Sequence, residues 1–147
     1  MRKCNVCTVI VVVVLSMFVF GCSKYDKISI LGTWEIDVKA AKGLGDGYEF
    51  AIETIKVTSG SDQPYTQSYE AKIAGSSAGV TAKWERWTIS GNIERKKDKM
   101  TFINRIKDDV DKQGDTPAYP YRVEGDKLIL VIENEGYTNN EKIYTKK

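Results

Sequence analysis

The chain has 147 residues, with 22 Lys and Arg, 20 Asp and Glu, three cysteines and no histidine. This length favours one domain with a single core, and a formal charge of +2 gives no polycationic surface for nucleic acid. The absence of histidine excludes Ser-His and Cys-His catalysis and histidine-ligated zinc. Since no cofactor motif is present either, we expect a protein that is not an enzyme.

The first 21 residues have the features of an export signal. Arg2 and Lys3 precede an apolar run over residues 9–20, which suits a signal peptide and is shorter than the roughly 20 residues of a membrane-spanning helix. The run ends at Val19-Phe20-Gly21-Cys22, which resembles the lipobox of bacterial lipoproteins. An uncleaved anchor helix is the alternative.

The lipobox resemblance implies cleavage before Cys22 and attachment of lipid to its sulfur. The lipid would be a diacylglycerol, with an N-acyl chain such as palmitate, and two or three chains make a stable membrane anchor. We therefore expect a protein of the bacterial cell envelope. A tether over residues 22–31 would join the lipid anchor to the folded domain. Cleavage also removes Cys4 and Cys7, so that their C-x-x-C spacing forms neither a redox nor a metal site.

The rest of the chain is predicted to be all-β. Trp34, Ile36 and Val38 alternate with charged residues, as in a strand with one buried face, whereas Phe50 and Ile52 give way to apolar residues of opposite parity, which predicts a bulge or bend near Glu53. Turn residues separate predicted strands at 33–39, 48–58, 65–74, 80–89, 93–97, 100–107, 119–123, 128–133 and 142–145. About eight antiparallel strands favour a small up-and-down barrel, with a β-sandwich as the alternative.

The motif Gly32-Thr33-Trp34 and the hairpin patterns at 87–92 and 121–128 resemble lipocalins and the lipocalin-like domains of bacterial lipoproteins. The resemblance implies a barrel over residues 32–147 with Trp34 as a plug at its closed end. A basic residue late in the chain would pack over that tryptophan, and here Lys142 or Lys146 replaces the family's arginine. It also implies a small apolar ligand inside the barrel.

Aromatic residues on several predicted strands are the candidate ligand contacts: Phe50, Tyr69, Trp84, Trp87 and Tyr121. The competing interpretation is that these rings fill the core. In that case the protein would be a non-enzymatic interaction domain with a filled barrel, which docks on an envelope or host protein through its charged rim.

Charge is unevenly distributed along the chain. Residues 83–107 contain eight basic and three acidic side chains, and residues 108–141 contain three basic and nine acidic ones. The turn at 95–99 is a candidate contact for anionic headgroups or an acidic partner, or else a solvated turn. The stretch 109–115 has the alternating oxygens of a calcium loop, but Pro120 stands where the bidentate glutamate belongs, so we expect a solvated loop and no metal.

Overall fold

The computed structural model describes residues 28–60, 62–75, 81–108, 110–111, 116–133 and 135–147. Residues 1–27, with the predicted signal, Cys22 and most of the tether, lie outside the described residues, as do 109 and 112–115 of the acidic loop. The described strands are β1 (Gly32–Asp37), β2 (Tyr48–Val57), β3 (Pro64–Ile73), β4 (Lys83–Lys96), β5 (Lys99–Lys107), β6 (Val110–Asp111), β7 (Ala118–Glu124), β8 (Lys127–Val131) and β9 (Glu141–Lys146).

Eight of these strands form a closed antiparallel barrel, and the two-residue β6 pairs with the end of β5. Each barrel strand pairs with the barrel strand that follows it in sequence, and β9 returns to β1, where Trp34 lies opposite Lys146. Closure leaves the barrel without a free sheet edge. The predicted small up-and-down barrel is therefore confirmed, and the β-sandwich alternative is not formed.

The predicted turn at residues 90–92 is wrong. The chain runs through this point as the single 14-residue strand β4, and the register with β5 shifts between Ser90 and Asn92. Asn104 is the extra residue of a bulge on β5, with φ of +52°. A Ser-Gly-Asn sequence is compatible with a turn, but here Gly91 provides room for the bulge of the neighbouring strand.

Gly91→Ala is expected to lower the free energy of unfolding by about 1–3 kcal/mol, because a methyl group here overpacks the barrel wall. A Cβ at this position would lie 2.5 Å from the carbonyl oxygen of Ile103 and 3.0 Å from the ring of Tyr65. Gly45→Ala is the control, since its Cβ would meet nothing within 4 Å. Urea unfolding followed by circular dichroism measures both, and equal stabilities would contradict this account.

A five-residue helix, α1 (Val38–Lys42), follows β1 where the sequence predicted strand and loop. The carboxylate of Asp37 accepts a hydrogen bond from the Ala40 amide (2.9 Å), and Gly43 ends the helix in the left-handed conformation. A helix this short depends on tertiary packing, here through buried Val38. In the described part of the chain no helix is long and apolar enough to cross a membrane.

The barrel has two different ends. At one end, which we call the closed end, lie the connections 58–63, 97–98 and 125–126 and the chain segments that enter β1 and leave β9. At the other, the mouth, lie α1 and the described parts of the connections from β3 to β4, from β5 to β7 and from β8 to β9.

Trp34 packs near the closed end and is 1% exposed. Its indole nitrogen donates to the carbonyl oxygen of Ile30 (2.8 Å), and the Lys146 ammonium lies 5.4 Å from its ring centroid. Of the two lysines that the resemblance suggested, Lys146 is thus the one over the tryptophan.

Candidate functional site

The barrel encloses a partly open cavity of about 500 Å³. Its walls come from α1, from seven barrel strands and from the mouth connections, so that it reaches from the mouth into the barrel interior. The lining is mainly aromatic and aliphatic, with a few charged groups: Val38, Lys42, Leu44, Tyr48, Glu53, Ile55, Gln67, Tyr69, Trp87, Ile89, Phe102, Arg105, Lys107, Pro117, Tyr119, Leu130, Ile132, Glu135, Tyr137, Lys142 and Tyr144.

A polar cluster centred on Glu53 occupies part of this wall. The Lys142 ammonium donates to both carboxylate oxygens of Glu53, at 3.0 and 2.8 Å. Oε1 of Glu53 also accepts from the Gln67 amide (2.7 Å) and from the Tyr144 hydroxyl. Glu53 and Lys142 have side-chain exposures of 4% and 9%, and such buried charges are tolerated only when paired and hydrogen-bonded.

The position of Glu53 corrects the predicted bulge near this residue. Ala51, Glu53 and Ile55 alternate inward without interruption, and the register shift lies between Tyr48 and Phe50. Apolar alternation marks an inward-facing position only when the residue there is apolar. Glu53 is a buried charge whose partner lies 89 positions further along the chain, so no local pattern identifies it.

Two buried tyrosines beside Glu53 hold their protons firmly. Burial, and then the negative charge of Glu53, raise the pKa of Tyr144 well above the usual 10.0 and raise that of Tyr137 as well. Both phenols are therefore neutral near neutral pH, and Tyr144 is a hydrogen-bond donor to the carboxylate.

These raised pKa values predict a loss of stability in alkali. The folded protein binds the two protons more tightly than the unfolded chain, so the contribution of these tyrosines to the free energy of unfolding should be constant below about pH 10 and fall as the pH rises above it. Urea unfolding at successive pH values measures the fall, which should be smaller in Tyr137→Phe. Normal titration of Tyr137 and Tyr144 near pH 10 in the folded protein would contradict the prediction.

Of the five predicted ligand contacts, two line the cavity. Tyr69 and Trp87 lie opposite each other on β3 and β4, and their rings stack with centroids 5.4 Å apart and an angle of 16° between planes. The ammonium of Lys107 lies 5.6 Å from the Trp87 ring. This arrangement forms a flat aromatic surface on one side of the cavity.

Phe50 and Trp84 lie outside the barrel, with their ring centroids 5.6 Å apart. Trp84 is 45% exposed, and the guanidinium of Arg86 lies 4.2 Å from its ring. Side chains alternate between the two faces of a strand. Because Ala51 on β2 and Trp87 on β4 face inward, the two rings, which are an odd number of residues away on the same strands, face outward.

Tyr121 belongs to the buried core and is 4% exposed, but it does not border the cavity. It lies opposite Leu130 on the neighbouring strand β8. Tyr121 and Trp34 are therefore core residues, whereas Tyr69 and Trp87 line the cavity.

The bulge on β5 brings two further charged side chains to the cavity. If the alternation of Met100 and Phe102 continued, Arg105 and Lys107 would face outward, but the extra residue Asn104 reverses the parity. Both then line the cavity, while Ile106 is 45% exposed. No sequence signal identified these residues as part of the site.

Comparisons with protein families, curated proteins and solved structures found no match for this chain. Among the described residues, no three His, Cys, Asp or Glu side chains are grouped so that they could hold a metal ion. The fold and cavity define an eight-stranded up-and-down barrel with a partly open interior.

Proposed function

We propose that this protein is a lipid-anchored lipoprotein of the bacterial envelope whose lipocalin-like barrel binds a small, largely apolar molecule. The observation that carries the binding proposal is the cavity of about 500 Å³ beside the stacked Tyr69 and Trp87 rings. Ligand sites usually occupy about 300–1,000 Å³, with apolar walls and a few polar groups. Eight strands leave room for one small ligand.

The polar cluster limits the ligand's chemistry. Because Glu53 and Lys142 already satisfy each other, a ligand need not carry a charge to neutralise either of them. The remaining wall offers aromatic contacts from Tyr69, Trp87 and Phe102, together with aliphatic side chains and four further charged ones, those of Lys42, Arg105, Lys107 and Glu135. A molecule with a mainly apolar body and one hydrogen-bonding group suits this lining.

The binding experiment uses N-phenyl-1-naphthylamine, a neutral dye that fluoresces in apolar sites. We expect saturable binding to the wild type and roughly tenfold weaker binding to Trp87→Ala, because one face of the aromatic surface is lost. Trp84→Ala is the matched control and should bind as the wild type does. Absence of saturable binding, together with no lipid in native mass spectra of the purified protein, would contradict the proposal.

The anchoring proposal has a separate experiment. It depends on the residues preceding Cys22, and on the position of this cysteine a few residues before the barrel. We expect Cys22→Ser to abolish metabolic labelling with radioactive palmitate and to accumulate unprocessed precursor. Normal processing of this variant at the same position would contradict lipid attachment.

A second candidate function, docking on another protein, is supported by the outer Phe50 and Trp84 pair. Trp84 is exposed and packs against Arg86, and tryptophan and arginine are both enriched at protein–protein interfaces. In this case the partner should be captured in a salt-sensitive manner by the wild type and lost with Trp84→Ser. Retention of the partner by that variant would contradict docking through this face.

A further inference from the structure

The two ends of the barrel carry opposite charge. The closed-end segments 28–33, 58–63, 96–99, 124–127 and 145–147 contain six basic and four acidic side chains. Counted over described residues and likewise including the strand ends, the mouth segments contain four basic and six acidic side chains; these segments are 37–48, 73–75, 81–83, 107–108, 116–118, 131–133 and 135–141.

The chain enters the barrel at the basic end. The guanidinium of Arg95, close to the tip of the β4–β5 hairpin, donates to the carbonyl oxygen of Ile28 (2.5 Å). Ile28 is therefore located at this end of the barrel. The six residue steps from Cys22 to Ile28 reach about 20 Å at most, so a lipid on Cys22 would hold this end near the bilayer.

Three lysines project from the hairpin tip beside this entry point. Lys96 and Lys99 lie opposite each other where β4 and β5 meet, Lys97 is in the turn, and all three are exposed. Within the described part of the chain, none of the three forms an ion pair. Their charge is therefore available to an external anionic surface.

We propose that the closed end of the barrel is a membrane-contacting surface that binds anionic lipid headgroups through Lys96, Lys97 and Lys99. Its location in the cell rests on the proposed Cys22 anchor, but the attraction itself comes from the barrel. Each lysine close to an anionic bilayer strengthens binding roughly fivefold. The acidic mouth is repelled by the same surface, so the cavity opens away from the membrane.

The test is sedimentation of residues 28–147 with vesicles of phosphatidylcholine alone or with roughly 30% phosphatidylglycerol. This segment contains all eight barrel strands, including β1 and β9, whose pairing closes the barrel. We expect the partition coefficient to be at least tenfold higher on the anionic vesicles at low salt and to fall as salt is added.

Lys96→Glu/Lys99→Glu should abolish this preference. Lys39→Glu/Lys83→Glu makes the same change in net charge on the mouth side and should retain most of it. Circular dichroism and urea unfolding confirm that both variants are folded. Equal binding of the wild type to both vesicle types, or equal loss in the two variants, would overturn the proposal, whereas palmitate labelling and dye binding would still report on the proposed function.

Discussion

Replacing Lys142 with methionine is expected to lower the free energy of unfolding by about 3–5 kcal/mol. Methionine retains much of the side chain's apolar length but removes the ammonium that lies 2.8 and 3.0 Å from the Glu53 oxygens. The carboxylate is then left in a buried site with the Tyr144 hydroxyl and the Gln67 amide as its donors. Equilibrium urea unfolding followed by circular dichroism measures the loss.

The double variant Glu53→Gln/Lys142→Met separates the effect of charge from that of packing. It removes both charges and keeps a carbonyl oxygen to accept from Tyr144, so we expect most of the stability to return, to within about 1–2 kcal/mol of the wild type. Lys127→Met is the exposed control, with an effect below about 0.5 kcal/mol. A loss below about 1 kcal/mol in Lys142→Met would show that the pair is not desolvated.

Trp34→Ala is expected to cost about 3–5 kcal/mol of unfolding free energy, the range for a fully buried aromatic side chain. The substitution leaves a cavity near the closed end, removes the indole donor to Ile30 and leaves Lys146 without the ring beneath it. Urea unfolding followed by far-ultraviolet circular dichroism is the appropriate measurement, because the substitution also removes a fluorophore.

Trp84→Ala makes the same chemical change on the outer face of the barrel. Because Trp84 is 45% exposed, we expect a loss of no more than about 1 kcal/mol. The contrast between the two tryptophans tests the assignment of one to the core and the other to the surface. Similar losses in the two variants would contradict that assignment.

The alternation of apolar side chains predicted most of the strands, and thereby the barrel. β1 is the clearest case, with Trp34 and Ile36 buried as expected. The strand prediction failed where the conformation of one strand depends on the strand that pairs with it. Gly91 looks like a turn residue in sequence, but whether the chain turns there depends on the bulge at Asn104 in β5.

The cavity could be predicted only in part. Tyr69 and Trp87 were expected because aromatic rings on strands are candidate pocket residues, and both line it. Phe50 and Trp84 are also aromatic strand residues, but their side chains face outward. A single bulge reverses the orientation of every residue that follows it on the strand. The residue type alone therefore cannot show whether a side chain faces the cavity or the outside of the barrel.

The all-β class, the approximate number of strands and the likeness of residues 19–22 to a lipobox can be predicted from the amino-acid order, since each depends on local periodicity or on adjacent residues. The folded barrel was needed to show that Glu53 faces inward to meet Lys142, that Lys146 covers Trp34, and that opposite charges collect at the two ends of the barrel. These features join residues far apart in the chain. Their energies depend on burial and closure, which appear only when all eight strands are paired.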